Sequence, residues 1–81
     1  MSVRVSFYSI FRDLAGAGET SVSVAAGATV GDVVEAVLER FPKMRPMRKS
    51  MLVAVGVDYQ RFDHALKEGD EIALFPPVQG G

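Results

Sequence analysis

An α+β fold is what three features of this 81-residue chain predict. Two stretches near the start alternate apolar and polar residues, one stretch repeats apolar residues at three- and four-residue steps, and a closing apolar run has strand character. Together they describe a mixed sheet of about five strands with one main helix packed on one face.

Val3, Val5 and Phe7 alternate with Arg4, Ser6 and Tyr8, the period of a strand with one buried face. Ile10 and Leu14 flank a turn, and Ala15-Gly16-Ala17-Gly18 supplies residues tolerant of positive φ. Thr20, Val22 and Val24 then alternate with Ser21 and Ser23, which completes a hairpin. Thr29-Val30-Gly31-Asp32 has the hydroxyl-x-x-acid spacing of a helix start. From there Val30, Val33, Val34, Val37, Leu38 and Phe41 form one stripe, with Asp32, Glu35, Glu39 and Arg40 facing away. Pro42 ends this helix, because its ring clashes with the carbonyl four residues back.

Residues 43–50 lose periodicity and carry Lys43, Arg45, Arg48 and Lys49, so they read as a solvated basic loop. Residues 51–55 are a short apolar run bounded by Gly56, which fits a central strand covered on both faces. Residues 57–62 add a short edge strand, and 63–66 a turn or a single helical turn. Lys67-Glu68-Gly69-Asp70 is a tight turn into the last strand, 71–75.

A chain of this size forms one domain with one core. Hydrophobic residues are 48% and charged ones 23%, and no apolar run approaches the ~20 residues of a membrane helix. The opening residues lack the stages of a secretory signal, so the expected location is cytoplasmic. Cysteine is absent, which excludes disulfides, a thiol nucleophile and a persulfide; a single His with scattered carboxylates makes no metal set. A net charge of −1 argues against nucleic-acid binding. No carboxylate pair, Ser-His-Asp set or phosphate loop is present, and His64 beside Asp63 is read as a bonded or solvated side chain, so the chain reads as non-catalytic.

The distinctive stretch is Phe75-Pro76-Pro77-Val78-Gln79-Gly80-Gly81. Pro76 and Pro77 end the strand and stiffen the start of the tail, while two glycines suit a passage too narrow for side chains. Residues 76–81, at roughly 3.3 Å each when extended, reach about 20 Å. The Gly81 carboxylate is ionised at neutral pH and a poor electrophile, so acyl chemistry there requires activation by another protein.

Phe75-Pro76-Pro77-Val78 closing on Gly80-Gly81, preceded by Glu68-Gly69-Asp70-Glu71-Ile72-Ala73, resembles the small, sulfur-carrying subunit of molybdopterin synthase, the MoaD type. Val3 to Phe7, Phe11-Arg12-Asp13-Leu14, Val53-Ala54-Val55 and Phe62-Asp63-His64 extend the likeness over the usual length. The resemblance implies a ubiquitin-like β-grasp domain over residues 1–75, with first and last strands as parallel neighbours at the sheet centre, and a flexible diglycine tail over 76–81. It implies that an E1-like adenylyltransferase (MoeB type) adenylates Gly81, that the product becomes a thiocarboxylate, and that this donates sulfur to precursor Z, a cyclic pyranopterin monophosphate, in molybdenum cofactor biosynthesis. Lacking cysteine, the chain would have to carry sulfur at the Gly81 carboxyl carbon.

The same resemblance implies no cofactor held by this chain, the ATP being used by the activating partner. Pro76, Pro77, Val78, Gln79 and Gly80 would thread into a large synthase subunit (MoaE type), in a heterotetramer of two small and two large subunits. Pattern alone leaves Phe7, Tyr59 and Phe75 open between core and an exposed patch on the uncovered sheet face; the resemblance implies the patch, as the partner interface. A sulfur carrier for thiazole formation or tRNA thiolation, a ubiquitin-like modifier forming isopeptides through Gly81, and a plain interaction domain remain alternatives.

Overall fold

The order of elements in the computed structural model, which describes residues 1–77, is β1 (Ser2–Phe7), α1 (Ile10–Ala15), β2 (Glu19–Ser23), α2 (Val30–Arg40), a 3-10 segment (Pro42–Ser50), β3 (Leu52–Val55), β4 (Asp58–Tyr59) and β5 (Glu71–Phe75). The five strands form one sheet in the order β2-β1-β5-β3-β4. β1 is antiparallel to β2 and parallel to β5, and β3 is antiparallel to both β5 and β4. First and last strands therefore lie side by side at the centre, as the β-grasp implies.

Alternation decides which face each strand buries. Val3, Val5 and Phe7 on β1, Val22 on β2, Val53 on β3, and Ile72 and Leu74 on β5 are buried beneath α2, which contributes Val30, Val33, Val34, Val37 and Leu38. The predicted stripe is the buried face, with Phe41 half-buried at its end. The helix starts at a full capping box. Thr29 Oγ1 accepts from the Asp32 N–H at 3.3 Å, and Asp32 Oδ2 accepts from the Thr29 N–H at 2.9 Å. Residues 62–66 strap across this start, where Val30 N–H donates to the His64 carbonyl and Gly31 N–H to that of Phe62. A Cβ at Gly31 would sit 3.2 Å from the Phe62 carbonyl oxygen, so the strap approaches this closely only over a glycine.

The structure departs from some of these expectations. Between β1 and β2 the turn is a six-residue helix, α1, which drives Phe11 into the core and ends at Gly16 with φ 69°. Residues 43–50 are not a loose loop but consecutive 3-10 turns. Pro46 forbids a regular α-helix there, and fully buried Met44 pins the segment down. β3 is an interior strand between β5 and β4, in line with its apolar run. The predicted edge strand shortens to Asp58–Tyr59; of the two readings for residues 63–66 the plain turn holds, closed by His64 N–H on the Arg61 carbonyl at 3.1 Å and followed by an isolated bridge of Ala65 with Thr29.

Candidate functional site: an aromatic platform at the root of the tail

With the helices on one side, the other face of the sheet is left open. Phe75 closes β5 on that open face, because Leu74 before it points into the core. β5 is hydrogen-bonded on both flanks, to β1 and to β3, so the Phe75 backbone is held where the chain leaves the sheet. The Tyr8 ring lies flat against Phe75, centroids 4.6 Å apart and planes at 11°. Tyr59 meets Phe75 edge-on at 6.0 Å and 80°. Both tyrosines remain exposed, at 46% and 62%, so the three rings form an aromatic surface facing solvent. Pro76 and Pro77 come directly after, half-buried and outside any strand.

Of the residues expected here, Tyr59 and Phe75 belong to this platform and Phe7 does not. Phe7 is only 1% exposed, on the helix side, where it meets Phe41 edge-on at 5.4 Å. The reason is parity: Phe7 shares a face with Val3 and Val5, so a strand that buries them buries it as well. The same parity places Tyr8 on the open face, as the alternation along β1 predicts, although the expected patch does not include it. Val78, Gln79, Gly80 and Gly81 lie outside the described residues.

The turn that delivers Tyr8 is strained. Ser9 has φ 56° and ψ −130°, a backbone region that favours glycine, and Phe11 N–H closes the turn onto the Tyr8 carbonyl at 3.2 Å. The arrangement lets β1 end with Tyr8 outward while Phe11 returns to the core three residues later.

Elsewhere the charged groups fasten the fold. Arg48 Nε donates to Glu35 Oε2 at 2.8 Å and Arg45 Nη1 to Oε1 at 3.2 Å, tying the 3-10 segment to α2. Those hydrogen bonds, Arg48's first and then Arg45's, hold the Glu35 carboxyl below the ordinary carboxylate range. The Arg48 guanidinium also lies 4.8 Å over the Phe62 ring. Two of the four basic residues in the supposed solvated loop are thus internal ties. Among the described residues no three His, Asp or Glu side chains gather closely enough to hold a metal ion, and no helix is long and apolar enough to cross a membrane. The platform is an exposed aromatic surface directly before Pro76 and Pro77.

Comparison with known proteins agrees with this geometry. Over its full length the chain is 30% identical to the molybdopterin synthase sulfur carrier subunit of Chlamydomonas reinhardtii, covering 100% of both chains. The crystal structure of small archaeal modifier protein 1 from Haloferax volcanii superposes with a TM-score of 0.86 at 27% identity, covering 100% of each chain. A putative molybdopterin converting factor, subunit 1, from Pyrococcus furiosus gives 0.86 at 31% identity, covering 96% of this chain and 99% of the other. Residues 5–81 match the ThiS family. The chain is therefore a member of the ThiS family, with the α+β architecture of its ubiquitin-like neighbours.

Proposed function

We propose that this protein is the sulfur carrier subunit of a molybdopterin synthase, a cytoplasmic, non-catalytic chain that presents its C-terminal glycine to other enzymes. The observation that carries the reading is the aromatic platform of Tyr8, Tyr59 and Phe75 at the end of the central strand, immediately before Pro76-Pro77 and a sequence ending in Gly80-Gly81. The relatives named for this function support it.

In this reading an E1-like adenylyltransferase joins the Gly81 carboxylate to the α-phosphate of ATP and releases pyrophosphate. Hydrosulfide then attacks the acyl carbon, the C–O bond to AMP breaks, and AMP leaves a thiocarboxylate behind. The platform docks on the large synthase subunit while the segment beyond Phe75 threads into it and delivers sulfur to the pterin precursor. The described chain contributes position: a rigid root for the tail and an apolar surface that fixes its direction. Groups that stabilise charge during transfer come from the partner.

The test is intact-mass spectrometry after incubation with the adenylating enzyme, ATP and a sulfide source. The full chain should gain the mass of one oxygen replaced by sulfur, and a chain lacking Gly81 should not. No gain in the full chain, or an equal gain in the truncated one, would refute the carrier role. A second reading, a protein modifier joined to lysines through Gly81, is favoured by the likeness to the archaeal modifier. It would be recognised by glycine-tagged lysines on other cellular proteins.

A further inference from the structure

Strand β2 is an outer edge of the sheet along Glu19–Ser23. Its register with β1 settles which backbone groups are engaged. Phe7 N–H donates to the Gly18 carbonyl at 2.9 Å and Val24 N–H to that of Met1 at 2.9 Å. Hydrogen-bonded pairs alternate along an antiparallel ladder, so Val3 with Val22 and Val5 with Thr20 are the bonded pairs between them. Glu19, Ser21 and Ser23 consequently turn their N–H and C=O groups away from the sheet, a template onto which another strand can add.

Arg40 lies across that template. It is the last residue of α2, and its Nη1 donates to the Ser21 carbonyl oxygen at 3.0 Å and to Thr20 Oγ1 at 2.7 Å. We propose that Arg40 guards a latent self-pairing edge: it occupies the central outward acceptor of β2, and without it a second copy of this chain adds through its own β2.

The edge itself specifies the occupant. An antiparallel partner related by a two-fold axis at Ser21 sets Ser21 against Ser21 and Glu19 against Ser23, so no like charges face each other along the strands. The pairing continues the ladder on the side where Val22 is already buried. The opposite edge, β4, is only two residues long and offers far less backbone. With Arg40 present the same geometry is disfavoured twice. The Ser21 carbonyl is taken, and strands about 4.8 Å apart would bring both guanidinium groups to the axis. This inference does not depend on the sulfur-carrier reading, because it concerns the edge remote from Phe75.

The full chain, Arg40→Ala and Arg40→Gln are compared by analytical ultracentrifugation from micromolar to millimolar concentration, with amide hydrogen exchange at both ends of the series. Gln is a strong helix former, so the second variant separates loss of the cation from damage to α2. The native chain should stay monomeric, and both variants should dimerise with rising concentration. The amides of Glu19, Ser21 and Ser23 should become protected as they do so. Adding Ser21→Pro to Arg40→Gln removes an outward N–H without touching the β1 ladder, and should restore the monomer. Variants that stay monomeric, a native chain that dimerises equally, or protection confined to another surface would each overturn the proposal.

Discussion

Tyr8 and Phe75 stack face to face at 4.6 Å across the β1 and β5 boundary, although they stand near opposite ends of the chain. The contact joins the end of the first strand to the end of the last, at the point where the tail departs. It also separates Tyr8 from its neighbour Phe7, which serves the core on the opposite face.

Replacing either partner of the stack should impair docking far more than folding. On the sulfur-carrier function proposed above, Tyr8→Ala and Phe75→Ala are each expected to weaken binding to a large synthase subunit about 10- to 100-fold, in line with the roughly 1.5 to 3 kcal/mol of an aromatic interface anchor. The thermal midpoint should fall by only a few degrees. Titration calorimetry beside a melting curve provides the comparison, and unchanged affinity in both variants would remove the platform from the interface.

Phe7→Ala should behave in the opposite way. Its ring is buried against Phe41, and truncating a buried phenylalanine costs about 3 to 5 kcal/mol. Small domains hold only about 5 to 15 kcal/mol in total, so much of the stability goes. Urea denaturation should show a large fall in midpoint; an unaltered curve would contradict the burial.

Glu35 gives a pH signature. Its carboxyl is held below the ordinary range by Arg48 and then Arg45, so its folded pKa is lower than its unfolded one. The contribution is therefore complete above the unfolded value and is lost as the pH falls through the folded value. An NMR titration should place the Glu35 midpoint below that of an unpaired glutamate. In Arg48→Ala the midpoint should rise toward the ordinary value, and no movement would show that the pair is absent in solution.

Ser9→Gly should stabilise the fold. Glycine accepts φ 56° with ψ −130° freely, and relief of strain outweighs its greater freedom when unfolded by about 1 kcal/mol. A rise of several degrees in melting temperature is the expected reading, whereas a fall would mean that Ser9 is not strained.

Where the sequence was legible, a simple period was at work. Val3, Val5 and Phe7 show a period of two, the α2 stripe a period of 3.6, and Thr29 with Asp32 a cap; the structure has all of them. Short elements were illegible because they repeat too little. α1 offers one deeply buried residue, Phe11, beside two glycines that read as a turn. The 3-10 segment hides Met44 and Met47, three apart, among prolines and cations, although that spacing is the period of a 3-10 turn. The family likeness sets Phe7 on the open face where parity buries it, and the patch it implies leaves out Tyr8. The tail motif is legible as sequence alone, from Phe75-Pro76-Pro77 to Gly80-Gly81.

The strand that carries Phe75 is gripped by a parallel neighbour on one side and an antiparallel one on the other. A pull along its axis therefore loads both ladders in shear, all bonds together, rather than peeling them apart one at a time as at a hairpin end. A load applied at Phe75 is thus shared by both neighbouring strands at once.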